Sequence, residues 1–82
     1  MSEPFITIDL HGMNVSDAEA AVEKALSSAG RGTYQIRLVH GFNRGTGIRD
    51  MIYREFRYDG RIVRIAPGDN QGITVLILRE LY

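Results

Sequence analysis

The chain has 82 residues, is 44% apolar and 24% charged, and balances ten bases against ten acids for a formal net charge of zero. That length holds one domain, expected over residues 1–82 with a core at about 5–80, and its composition argues against disorder. No cysteine is present, which excludes a disulfide framework, a thiol nucleophile and a Cys-ligated zinc site.

Phe5 to Leu10 alternates and predicts a strand with Ile6, Ile8 and Leu10 facing inward. His11-Gly12-Met13-Asn14 reads as a turn. Ser16 with Glu19 three residues on forms a capping-box pattern, so a helix is expected from there. Its apolar stripe is Ala18, Ala21, Val22, Ala25, Leu26 and Ala29, and Gly30 is the expected stop. Tyr34 to Val39 predicts a second strand with Ile36 and Leu38 inward and Gln35 and Arg37 outward. His40 to Gly47 is a glycine-punctuated loop. Ile48, Met51, Ile52 and Phe56 recur at helical spacing, which predicts a second helix over about 47–58. Asp59-Gly60 signals a turn, and Ile62 to Ala66 a third strand. Pro67 to Gly72 reads as a hairpin connection into a fourth strand, Ile73 to Leu78.

The order β-α-β-α-β-β predicts a two-layer α/β sandwich: a four-stranded mixed sheet with both helices on one face. Two β-α-β crossovers favour parallel neighbours, and the last hairpin is antiparallel. The uncovered face should be polar, since Thr7, Asp9, Gln35, Arg37 and Arg64 share the outward parity. No apolar stretch approaches the ~20 residues of a membrane span. Met1-Ser2-Glu3-Pro4 has no basic region ahead of an apolar one, so no secretory signal is expected and the cytoplasm is the expected compartment.

Zero net charge conceals an asymmetry. Residues 1–30 carry one base, Lys24, against five acids; residues 31–82 carry nine bases, all arginine, against five acids. Arginine's planar fork suits phosphate or carboxylate. The second half therefore reads either as an anion-binding surface or as a solvated face with local pairs such as Asp50 with Arg54.

Ligands of parallel α/β units bind beyond the carboxyl ends of strands. Here two such ends carry His-Gly pairs, His11-Gly12 and His40-Gly41, and these are the only two histidines. Asp9 lies two residues before His11 on an extended segment, so both project to one side. A carboxylate there fixes the imidazole tautomer; the alternative is a turn histidine bonded to Asp9 without a reaction role. The loop Gly41-Phe42-Asn43-Arg44-Gly45-Thr46-Gly47 precedes the second helix, with Arg44 and Arg49 flanking that helix start. Glycines admit a ligand to the backbone and a helix start offers N–H groups to an anion. The Gly-Lys-Ser/Thr ending of a Walker loop is missing. Phe42 would stack on a base or fold onto the core. Tyr53 and Tyr58 read as helix-to-core contacts, and Asp69-Asn70 as turn chemistry rather than a metal site.

At these residues the sequence resembles the Smr (small MutS-related) domain family. Asp9-Leu10-His11-Gly12 matches the family's Asp-Leu-His-Gly closing the first strand. His40-Gly41, followed by Gly45-Thr46-Gly47-Ile48-Arg49, matches its second signature, with a longer loop between the two parts than the common family form. Arg64-Ile65-Ala66-Pro67 and the terminal strand also fit. The resemblance implies the same sandwich, similar to the C-terminal domain of the third translation initiation factor. It implies nucleic-acid binding and, in several members, endonuclease activity as nicking of DNA or cleavage of RNA. Some members act on stalled ribosomes, so the ribosome is a possible partner.

Three functions stay open. A nuclease would use His11 and His40 as base and acid, Asp9 to orient His11, and Arg44 or Arg49 to hold phosphate. A metal-assisted route would use Mg²⁺ or Mn²⁺ on Asp9, with Asp50 a distant second; no metal ligand set is legible. A non-catalytic module would grip nucleic acid through Gly12, Gly41, Gly45, Thr46, Gly47 and the Arg37/Arg64 face. A protein-interaction module would read an acidic or phosphorylated partner. No dimer seam is legible.

Overall fold

The computed structural model describes residues 3–42 and 45–80. In chain order the elements are β1 (Phe5–Asp9), α1 (Val15–Ser28), β2 (Gln35–Val39), α2 (Gly47–Phe56), β3 (Arg64–Pro67) and β4 (Ile73–Ile77). The sheet order is β1-β2-β4-β3. β1 and β2 are parallel, and β4 is antiparallel to both of its neighbours, β2 and β3. The second crossover therefore does not make a parallel pair. β4 inserts between β2 and β3, which keep a common direction one strand apart.

The insertion follows from apolarity. Ile73-Thr74-Val75-Leu76-Ile77 is nearly continuously apolar and is buried along most of its length, as a central strand must be. β3 is short and carries Pro67, which has no N–H to give to a ladder and belongs at an edge.

Strand parity then sets the core. Ile6, Ile36, Leu76 and Ile65 form one row across the sheet. That row packs against Ala18, Val22 and Leu26 of α1 and Met51, Ile52 and Phe56 of α2. Both helices thus cover the same sheet face. The opposite face is less polar than its parity pattern predicts. It holds Val75 between Arg37 and Ala66, and Ile77 between Gln35 and Arg64. These two residues are only 8% and 6% exposed.

Helix ends differ from the capping-box expectation. The N-cap of α1 is Asn14, whose Oδ1 accepts from Asp17 N–H at 2.7 Å, not Ser16. Asn14 Nδ2 donates to Asp17 Oδ2 at 3.2 Å, so the cap and the third helical residue hold each other. At the other end Ala29 leaves the helix with extended backbone, and Gly30 has no left-handed φ. α2 ends at Phe56 rather than 58. Tyr58 beyond it is 91% exposed and makes no core contact, whereas Tyr53 is half-buried.

The expected Asp50–Arg54 pair does not form. Asp50 faces Arg49 at 3.7 Å and Arg54 faces Glu55 at 2.9 Å. The strongest charge network joins the two halves of the chain. Arg61 forks onto Glu23 of α1 at 2.7 and 2.9 Å and onto Asp59 at 2.9 and 2.7 Å. The Arg61 guanidinium holds both carboxyls below their usual range, and they in turn raise Arg61.

Leu76 stands at the centre of the inward row and is fully buried. Leu76→Ala should cost about 2–5 kcal/mol in urea unfolding. Thr7→Ala, on the open face, should change stability by no more than about 0.5 kcal/mol.

Candidate functional site

The parallel β1–β2 pair runs Asp9 opposite Val39. One step on, Leu10 N–H donates to Val39 O at 2.7 Å. Both strands therefore end at the same level, and each leaves the sheet through its His-Gly pair. Gly12 and Gly41 have φ of +81° and +76°, the left-handed backbone that glycine adopts without a Cβ penalty. The two turns touch: a Cβ built on Gly41 would lie 3.9 Å from His11 Cβ.

Between these turns and the starts of both helices lies a cleft of about 700 Å³. Residues 11–15 form one wall and residues 40–42 the other, with Gly45 and the first turn of α2, Gly47-Ile48-Arg49, closing it. The start of α1 is capped by Asn14. The start of α2 is not: Thr46 makes no side-chain cap, and its hydroxyl donates instead to Asp50 Oδ2 at 2.8 Å. The first N–H groups of a helix lack intrahelical acceptors, so this end of the cleft carries open donors and the positive end of the helix dipole. Met13, Val15 and Phe42 add exposed apolar surface to the same cleft.

The two histidines sit in opposite environments. His11 and Asp9 have side chains 70% and 60% exposed, with Nδ1 to Oδ1 at 2.5 Å. An ionised carboxylate only accepts, so Nδ1 carries the proton and Nε2 is the nitrogen without a partner among the described residues. The His11 backbone N–H also donates to Asp9 Oδ1 at 3.1 Å. These bonds, the side-chain one first, hold the Asp9 carboxyl below its ordinary range.

His40, two residues beyond Leu38 on the inward parity, is only 9% exposed. Nδ1 donates to Gly41 O at 2.7 Å, and Nε2 accepts from the Thr74 hydroxyl at 2.8 Å. Since a carbonyl oxygen can only accept, this tautomer satisfies both ring nitrogens. His40 and Gly41 N–H groups both donate to Gly72 O, at 2.9 and 3.0 Å. His40 thus buckles the end of β2 to β4. The sequence reading of His40 as the acid beside a His11 base thus meets a ring that is buried and hydrogen-bonded at both nitrogens.

Other expected site residues divide. Gly12, Gly41, Gly45, Gly47 and Arg49 line the cleft with His11 and His40. Asp9 stands behind His11, and Thr46, at the start of α2, turns its hydroxyl to Asp50 and does not line the cleft. Arg37 and Arg64 do not come to it. They lie on the open sheet face, where Arg37 pairs with Asp69 and Arg64 with Glu80, each at 3.2 Å. Arg44 lies outside the described residues.

The donor set does not fit a divalent cation. Among the described residues no three His, Asp or Glu side chains gather. Asp9 is engaged by His11, and Asp50 by Thr46. No helix among the described residues is long and apolar enough to cross a membrane.

Thr74 was not singled out in the sequence, though a signal existed: it is a polar residue at an inward position of an otherwise apolar strand. Met13 and Asn14 were likewise hidden inside what read as a plain turn, and Val15 lay between that turn and the expected helix start.

The family model of the Smr domain matches residues 8–79. Among solved structures, the Smr domain of Thermus thermophilus MutS2 is similar over 92% of this chain and 99% of that one. Identity is 31% and the TM-score 0.82. A search of curated proteins returns no match.

Two outcomes follow from the histidine environments. Thr74→Val keeps the shape but strands His40 Nε2, and should cost about 1–3 kcal/mol in urea unfolding. By NMR, the Asp9 carboxyl should titrate below the ordinary aspartate range and return to it in His11→Ala. Because the folded value is the lowered one, the stabilisation from this contact is present above the ordinary range. It is lost as pH falls through the lowered value.

Proposed function

The chain belongs to the Smr domain family, and since that membership implies nucleic-acid binding and, in several members, endonuclease activity, we propose that it cleaves RNA at the His11 cleft by attack of the 2′-hydroxyl. One observation carries this reading: an exposed Asp9–His11 pair stands at the mouth of a cleft that the uncapped start of α2 closes.

In this reaction His11 Nε2 takes the 2′-hydroxyl proton, with Asp9 holding the ring in the tautomer that leaves Nε2 free. The O2′–phosphorus bond forms and the phosphorus–O5′ bond breaks, leaving a 2′,3′-cyclic phosphate and a 5′-hydroxyl. The departing O5′ takes its proton from water on the open side of the cleft. Charge developing on the phosphate is met by the N–H groups of Gly47, Ile48 and Arg49 and by the Arg49 guanidinium. Arg44, which precedes the same helix start in the sequence, is a further candidate phosphate contact. His40 is a positioning residue that keeps the second His-Gly turn against β4.

A binding module without catalysis is the second reading. The engagement of both His40 nitrogens favours it, since only one imidazole is left for proton transfer.

Labelled RNA incubated with the protein should yield cyclic-phosphate ends and remain a substrate in EDTA. His11→Ala should slow cleavage about 10²–10⁴-fold while leaving RNA affinity nearly intact. Asp9→Asn should lower kcat with KM unchanged. Full dependence on Mg²⁺ or Mn²⁺ with 5′-phosphate products, or nicking of DNA in EDTA, would overturn the 2′-hydroxyl route. Salt-sensitive binding with no cleavage under any metal condition would leave the binding module.

A further inference from the structure

A second cavity, of about 500 Å³, lies between α2 and the β3–β4 turn. Arg49 lines both this cavity and the His11 cleft, so the two meet at one guanidinium. Arg49 is half-exposed, and its Asp50 partner is distant at 3.7 Å. It is therefore available to a phosphate lying between the two spaces.

The walls of the second cavity differ in chemistry from the first. Tyr53, one turn along α2 from Arg49, supplies an aromatic ring and is half-buried. Pro67 and Ile73 supply apolar surface across from it. Gln71 is exposed and has no hydrogen-bond partner among the described residues, leaving its amide to give and accept. Asn70 Oδ1 is used by Gly72 N–H at 2.8 Å, so its Nδ2 remains a donor. Thr74 forms part of the wall, but its hydroxyl is held by His40. Asp50 also lines the space, with one oxygen taken by Thr46.

An aromatic ring, free amide groups and a guanidinium at the mouth match a nucleobase and its linking phosphate. We propose that this cavity is a second nucleotide subsite, which receives the unpaired base next to the phosphate held at the start of α2. The base stacks on Tyr53, Gln71 and Asn70 meet its edge, and Arg49 grips the phosphate between the two nucleotides. A base in a duplex cannot enter a concave site while paired and stacked, so the strand must be single. The inference rests on the His11 cleft being the nucleic-acid site.

The test is an amide NMR titration with trithymidylate, which lacks the 2′-hydroxyl and so survives the measurement. Signals of Gly47 to Arg49 should move together with Tyr53 and the side-chain amides of Asn70 and Gln71. Tyr53→Leu should weaken trithymidylate about tenfold and leave thymidine 3′,5′-bisphosphate unaffected. Movement confined to Gly41 and Gly47 to Arg49 would overturn the second subsite and leave the first cleft standing. So would equal losses for both ligands in Tyr53→Leu, which would mark Tyr53 as structural. No movement anywhere would overturn both readings. A fully paired duplex that moves the same second-cavity signals as strongly would overturn the single-strand requirement.

Discussion

The parallel pairing of β1 with β2 is the constraint from which the cleft follows. Parallel neighbours end at the same edge of a sheet, so residues that follow them are brought side by side without any contact of their own. Here the register sets Asp9 against Val39, which aligns His11-Gly12 with His40-Gly41. An antiparallel pair would have sent the two motifs to opposite ends of the molecule. The same geometry starts α1 and α2 beside each other: a Cβ on Gly47 would meet Val15 Cγ2 at 3.5 Å.

One residue step in parity separates the fates of the two histidines. His11 shares the outward parity of Asp9, and the pair remains in water. His40 shares the inward parity of Ile36 and Leu38, and is drawn under the loop to Thr74. A buried imidazole must have its nitrogens satisfied, and Gly41 O with the Thr74 hydroxyl does so completely. The two His-Gly motifs look equivalent in the sequence but serve different physical ends. One presents a nitrogen to the cleft; the other holds the cleft's wall in place through the backbone bonds to Gly72.

Local periodicity carried most of the fold. The alternation of Ile6, Ile8, Ile36 and Leu38 and the stripes of both helices were legible because each depends on neighbours a few residues away. Strand order was harder to read, since it depends on comparing whole strands. Only the continuous apolarity of Ile73 to Ile77, set against the short, proline-ended β3, reveals which of the two lies in the middle. The charge pattern was legible as an asymmetry but not as a site. Arg61 crosses to Glu23, while Arg37 and Arg64 find Asp69 and Glu80. Pairing across the fold cannot be seen in a count of residues. Exposed pairs of this kind contribute little to stability, but they neutralise much of the apparent anion-binding surface.

The insertion of β4 also explains why a second cavity adjoins the first. Were β3 paired directly to β2, Pro67 and Gly68 at the start of the β3–β4 turn would lie beside the His-Gly loops in place of Gly72 at its end. With β4 beside β2, the turn comes back next to residues 40–42. A Cβ on Gly72 would meet Gly41 Cα at 3.2 Å and Phe42 Cδ1 at 3.3 Å. Close backbone packing there brings Asn70 and Gln71 to the same end of the sheet as His11, on the other side of Arg49. A strand order set by the apolarity of one segment thus determines that the α2 start is flanked on both sides, by an imidazole on one and by amide groups and a tyrosine on the other.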